Sequence, residues 1–266
     1  MKSQLKQRLK HTLRHTGLLE LAERIRTLWV EARAGRDNRS FCKEHPDFVV
    51  PPLALLVDIT GHASFRKYWA CSNTVRSVVD LIEKHHPNPE RVLEWGCGPA
   101  RILRHLPEFL PQGTQLFGTD YNRESIRWCK EAIPGITFAE NGSFPPLPFA
   151  ENYFDVIYAL SVLTHLSVSQ QDAWMKELRR VLRPGGHIIL TTHGEYSGTL
   201  LTATELLRFQ DEGFVVRDRV QEGSRSFAAY HHPDYARNHL FAGFQVREHI
   251  PGSSAANTWQ DTWVLQ

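Results

Sequence analysis

No stretch of this chain comes near the roughly 18 consecutive apolar residues of a membrane span. Met1 to Lys10 also lacks the apolar core of a signal peptide. Cysteine is sparse and scattered. Cys42, Cys71, Cys97 and Cys129 form no Cys-x-x-Cys pair, which argues against a zinc site or a disulfide framework and for reduced thiols in the cytoplasm. Internal repeats and low-complexity tracts are absent. With 266 residues and a net charge of +2, the chain has room for one large α/β domain, or for a domain with an appendage.

The charge is unevenly spread. Residues 1–40 hold ten Lys and Arg against four Asp and Glu, so this arm is about +6 and the remainder about −4. Leu5, Leu9 and Leu13 share one helical face, and a second helical segment carries Leu18, Leu21, Ile25, Leu28 and Trp29. A basic amphipathic arm of this kind suits an anionic membrane surface, a nucleic acid or a protein partner; a solvated helix pair packed on its own domain has the same pattern. The expected division is a basic helical extension over 1–50 and a larger domain over 51–266. Phe48 to Leu56, with its Pro-Pro step, reads as the extended linker between them. Gly61 to Trp69 then gathers aromatic and basic residues, and Asn73 is a candidate N-cap for a helix with Val75, Val78, Val79 and Ile82 on one face.

Arg91 to Leu106 organises the rest. A short apolar run, Val92-Leu93, ends in Glu94; Gly96 and Gly98 follow; Ile102, Leu103, Leu106 and Phe109 then fall at helical spacing. Strand, glycine turn and helix in that order present backbone N–H groups to a ligand at the C-terminal edge of a sheet. A dinucleotide fingerprint requires a third glycine where this chain has Arg101. Downstream, Gln115 to Thr119 reads as a second strand ending in Asp120, and Ile136 to Ala139 as a third, followed by Asn141-Gly142-Ser143. Phe154 to Leu160 is a nearly continuous apolar strand of the sort buried on both faces of a parallel sheet. Ser161-Val-Leu-Thr-His165-Leu comes next, then a helix stopped by Pro184-Gly-Gly186, then a fifth strand, His187 to Thr192, running into His193.

Glu94-x-Gly96-x-Gly98-x-Ala100, with the strand, the His-Leu pair and Leu-Arg-Arg-Val-Leu-Arg-Pro-Gly-Gly, resembles the class I S-adenosylmethionine (SAM)-dependent methyltransferases of the small-molecule type over residues 88–195. That resemblance implies a Rossmann-like α/β fold: seven mostly parallel strands with an antiparallel last strand, helices on both faces, and here the N-terminal helices in addition. The last two strands would be Gly243 to Ile250 and Asp261 to Gln266, with an insert at about 200–241 forming the substrate side. It implies SAM as cofactor, held by Glu94, Gly96, Cys97, Gly98, Arg101, Asp120, Tyr121, Asn141, Gly142, Leu160 and Ser161. Asp120 is placed to accept the ribose hydroxyls, or else to cap the next helix; Tyr121 is placed to cover the adenine and Asn141 to meet its amino group.

Methyl transfer to a hydroxyl or amine needs alignment and a base, and histidine suits the latter near neutral pH. His165, His193 and His231 are the candidates, with His232 beside the last. Ser161 and Thr191-Thr192 stand where metal-dependent relatives carry acids, so no metal is expected. The Asn/Asp-Pro-Pro-aromatic turn of base-amino methyltransferases is missing, which disfavours a nucleic-acid substrate. The expected activity is transfer to a small-molecule hydroxyl, on a sugar or glycan precursor or a secondary metabolite. A non-catalytic SAM-binding partner subunit and an RNA methyltransferase using the basic arm are the alternatives.

Overall fold

The computed structural model describes residues 19–266 apart from 218, 219, 225 and 255–257. The segment with Leu5, Leu9 and Leu13 therefore lies outside the described residues. Nine strands are described: β1 Arg91–Trp95, β2 Gln115–Asp120, β3 Thr137–Glu140, β4 Phe154–Ala159, β5 Leu182–Thr192, β6 Phe214–Arg217, β7 Ala228–His231, β8 Val246–Ile250 and β9 Asp261–Leu265. Seven of them form one sheet in the order β3-β2-β1-β4-β5-β9-β8, while β6 and β7 make a separate hairpin. Strands β1 to β5 run parallel, and β9 pairs antiparallel with both neighbours. The expected sheet is present, and its last strand is the inverted one.

Alternation along the central strands divides the core in two. Val92, Val156 and Tyr158 face the helix Ser72–His85 with Val75, Val78 and Ile82. Leu93, Ile157 and Leu190 face the opposite layer with Trp174 and Leu178 of the helix Val168–Val181. Every residue of β4 is buried, which is why its sequence is apolar without alternation. The reversal of strand order between β1 and β4 opens a crevice at their C-terminal ends, where parallel α/β sheets take their ligands.

Three local expectations change. The segment read as an extended linker turns helical at Leu53–Thr60, with Leu55 and Leu56 buried. The helix after the glycine turn is reduced to a tight turn over Leu103–Glu108, because Pro107 lacks an N–H and its ring disfavours helical backbone at Leu106. Ile102, Leu103 and Leu106 are buried as their spacing predicts, whereas Phe109 is exposed and lies under Arg76. The helix expected to have Asn73 as its N-cap begins at Ser72 with Cys71 in that position, two residues earlier. Cys71 precedes it and donates through Sγ to the Arg101 carbonyl at 3.2 Å, tying that helix start to the glycine loop.

Helix Leu19–Glu44 joins the domain through its C-terminal third. Phe41 is fully buried, and Asn38 donates to the Ala63 carbonyl at 2.7 Å while accepting from Phe65 N–H at 3.0 Å. Ile25, Leu28 and Trp29 stay exposed. The aromatic cluster at 65–69 packs behind the glycine loop: the buried Tyr68 hydroxyl donates to the Pro99 carbonyl at 2.6 Å. Among the described residues, no helix is long and apolar enough to cross a membrane.

Candidate active site

The glycine loop turns sharply because its backbone occupies the left-handed region at Gly96 (φ 77°), Gly98 (φ 51°) and Ala100 (φ 52°). A Cβ on Gly96 would collide with the Val162 side chain, so that position admits only glycine. Ala100 takes the third left-handed position at a steric cost of about 1 kcal/mol. Ser161, at the tip of β4, has φ 64°; its N–H donates to Thr191 Oγ1 at 2.7 Å, which holds the turn in place.

These turns border a cleft at the C-terminal edge of the sheet. Gly96, Asp120, Tyr121, Asn141, Gly142, Leu160, Ser161 and His165 line it. Asp120 Oδ2 accepts Gly98 N–H at 2.8 Å and Oδ1 accepts Asn122 N–H at 2.7 Å. One carboxylate thus ties the glycine loop to the tip of β2, and Asn122 itself caps the following helix by accepting from Ser125 N–H at 3.0 Å. Asn141 donates through Nδ2 to the Gly142 carbonyl at 2.7 Å, which leaves its buried Oδ1 without a partner. An orphaned acceptor on the cleft wall calls for a ligand donor.

Four residues expected at the cofactor do not line the cleft. Glu94 shares a strand face with Val92 and points beneath the loop, where Oε2 accepts Leu103 N–H at 3.2 Å and the Tyr158 hydroxyl at 3.0 Å. Burial raises its pKa to about 8. Cys97 is buried with its thiol pushed well above the usual range by desolvation, so it is an inert packing group. Gly98 acts through its N–H on Asp120, and the Arg101 carbonyl takes Cys71.

The three histidines separate by position. His165 lines the cleft; its Nδ1–H is held by the Phe227 carbonyl at 2.9 Å, which makes Nε2 the basic nitrogen of the neutral ring. His193 follows β5 but turns into the insert, with Nδ1 on the Ala229 carbonyl at 3.2 Å and its ring 4.9 Å from that of Tyr230. Desolvation, aided by His165, lowers its pKa to about 3. His231 is buried, with Nε2 2.9 Å from Gln171 Oε1. Gln171 Nε2 already donates to the Leu163 and Leu166 carbonyls, each at 2.9 Å, so its oxygen faces His231 and the ring is the Nε2–H tautomer. Desolvation keeps its pKa near 4. His193 and His231 are therefore neutral struts, and neither lines the cleft.

The cleft wall also contains residues that sequence reasoning did not select. Trp95 and Trp174 pack with ring centroids 4.8 Å apart and planes tilted by 38°, and Gln170 is buried with Oε1 unpartnered. Trp95 lies inside the glycine motif, and Gln170 stands out as a buried polar residue five positions after His165. Glu222 and Gly223 close the far side: Gly223 N–H donates to the His165 carbonyl at 2.9 Å, and Ser167 N–H donates to Glu222 Oε1. No local pattern marks that loop, which reaches the cleft only by long-range contact. No cluster of three or more metal-ligating side chains occurs among the described residues.

Sheet order, glycine loop and strand-tip acid together define the class I SAM-dependent methyltransferase fold. Residues 93–190 match the family model described as a methyltransferase domain. It is similar to the fatty-acid O-methyltransferase of Mycolicibacterium smegmatis, 34% identical over 38% of this chain and 36% of the relative. It is also similar to the phthiotriol/phenolphthiotriol dimycocerosates methyltransferase 1 of Mycobacterium ulcerans, 34% identical over 53% of this chain and 49% of the relative. The chain thus spans half or less of the length of these curated relatives. A SAM-dependent methyltransferase of Methanosarcina mazei shares the fold at 22% identity, with 70% of this chain and 96% of that one covered and a TM-score of 0.53.

Proposed function

We propose that this chain moves a methyl group from SAM to an oxygen atom of a small molecule in the cytoplasm, without a metal and with His165 as general base. The observation that carries the reading is the position of His165: it lies in the same cleft as Asp120 and the orphaned Asn141 oxygen, with its Nδ1–H already committed to a backbone carbonyl.

The cleft suits the cofactor. Asp120 can accept the ribose hydroxyls beside its two backbone N–H bonds, since each carboxylate oxygen has two lone pairs. Asn141 Oδ1 takes the adenine amino group, Tyr121 covers the ring, and the Gly96 loop passes close to the amino-acid end. When bound, SAM supplies an electrophilic methyl on a sulfonium sulfur for in-line displacement. His165 removes the proton of the incoming hydroxyl at Nε2, and the Phe227 carbonyl keeps the ring oriented as its charge develops. The packed indoles of Trp95 and Trp174, with Leu166, exclude water from that wall. Glu94 supports the loop from below without touching the ligand.

A hydroxyl of a sugar or glycan precursor, or of a secondary metabolite, is the acceptor we favour. The relatives' names give a second reading, a lipid carboxyl or hydroxyl. Incubation with methyl-labelled SAM and parallel panels of hydroxylated sugars and hydroxy fatty acids, read by product mass, separates the two. Binding of S-adenosylhomocysteine with no transfer to either panel would favour a non-catalytic subunit instead.

A further inference from the structure

A second cavity opens at the same edge of the sheet, over the tips of β8 and β9 and beyond the cofactor cleft. Glu195, Tyr196, Pro233, His249, Pro251 and Asp261 line it. Asp261, 2% exposed, sits opposite Thr192 at the end of β5. Its Oδ1 accepts Gly252 N–H at 2.9 Å and its Oδ2 takes His249 Nε2 at 2.8 Å. Gly194 passes so close to this carboxylate that any side chain there would strike it. His249 lies flat on Trp263, with centroids 3.6 Å apart and planes 7° from parallel. Its ring is therefore fixed in place and in tautomer, with Nε2–H on Asp261 and Nδ1 as the acceptor.

Beside this dyad is an exposed aromatic pair. Trp259, 52% exposed, packs against Tyr196 with ring centroids 5.0 Å apart and planes tilted by 32°, and its carbonyl accepts the Ser197 hydroxyl. The next residue, Gln260, donates to Ser161 Oγ at 2.8 Å, so the aromatic pair is joined directly to the wall of the cofactor cleft. Neither carboxylate here is uncompensated. Asp261 is satisfied by two N–H donors, and Glu195 Oε1 lies 3.4 Å from His232 Nε2. This arrangement offers a flat apolar face, a fixed imidazole acceptor and a carboxylate acceptor.

We infer that this cavity is a distal acceptor subsite for a polyhydroxylated ring, a sugar residue of the substrate. The C–H face of the ring lies on the exposed indole of Trp259, which Tyr196 backs, and its hydroxyls donate to His249 Nδ1 and to Glu195. Because the carboxylates face N–H donors and an imidazole, the chemistry matches a neutral sugar better than an amine. Three strand spacings separate β4, beside the methyl donor, from β8, about 14 Å. The acceptor that reaches both sites is accordingly longer than one ring. These residues bind and position the substrate; they do not take part in the chemistry. The inference rests on the methyltransferase reading and specifies its substrate class.

The test applies full-length protein saturated with S-adenosylhomocysteine to an array of oligosaccharides, with calorimetry on the glycans retained. Wild-type protein should retain a subset of glycans of two or more rings. Trp259→Ala, at an exposed site where folding is not at stake, and His249→Gln should each weaken that binding at least tenfold while the S-adenosylhomocysteine affinity stays within twofold. Retention of no glycan by protein that binds S-adenosylhomocysteine, undiminished retention by both variants, or displacement by tetramethylammonium would each overturn the subsite. Failure of the wild type to bind S-adenosylhomocysteine would overturn the proposed function itself, and this inference with it.

Discussion

The two ends of the cleft are built by different means. On the cofactor side, Gly96, Asp120 and Asn141 sit on the tips of three adjacent strands, within 46 residues of sequence, and backbone bonds such as Gly98 N–H to Asp120 at 2.8 Å lock them together. On the acceptor side, His165, Tyr196 and Trp259 come from separate segments and Glu222 and Phe227 from the one loop between β6 and β7, joined by a few long-range contacts such as His165 to Phe227 and Gln260 to Ser161. A fixed cofactor demands invariant geometry, which a sheet edge supplies. An acceptor pocket is held by loops that can differ without disturbing the sheet.

Variants that touch only one side test this division. The largest effect is expected for His165→Ala: kcat should fall by about 10²–10⁴, with S-adenosylhomocysteine affinity nearly unchanged, as kinetics and calorimetry on one preparation would show. Equal losses in both would mean that His165 supports the cofactor site.

His231 is next, with an effect on stability. Its folded pKa of about 4 lies below the unfolded value, so the stability it contributes is present above about pH 6.5 and is lost as pH falls toward 4. Denaturant unfolding of the wild type should lose up to about 3 kcal/mol across that window from this group, and His231→Gln should flatten the decline. A pH-independent wild type would contradict the neutral strut.

Asp120→Ala removes the link between the glycine loop and β2 together with the proposed ribose acceptor. It should weaken S-adenosylhomocysteine binding about 100-fold while leaving sugar retention on the acceptor side intact. The smallest effect belongs to Ala100→Gly. Relief of the left-handed backbone should exceed the added chain entropy and stabilise the fold by up to about 1 kcal/mol in thermal melts. Clear destabilisation would show that the alanine methyl contributes packing beyond its backbone cost.

Legibility in the sequence follows the same division. The sheet and the crevice were readable because apolar periodicity and glycine punctuation are local signals: β4 declares its burial, and Asp120 falls at the end of an evident strand. At Glu94 the motif does not reveal where the side chain points. The residue stands in the right place in the chain, yet strand alternation turns its side chain under the loop toward Tyr158. His193 has the right position at the end of β5, but a tertiary bond to the Ala229 carbonyl turns its ring away. The shortened turn at Leu103–Glu108 was signalled by Pro107, which the helical spacing of Ile102, Leu103 and Leu106 obscured. Glu222 and Gly223 carry no sequence signal, because only the folded hairpin brings them across the cleft.

The most direct test of the central claim is calorimetric titration of the full-length protein with S-adenosylhomocysteine, beside Asp120→Ala and with NADH as a control. One-to-one binding in the micromolar range, on the order of −8 kcal/mol, with loss in the variant and silence with NADH, is the predicted result. Equal heats for wild type and variant, or binding of NADH alone, would contradict it.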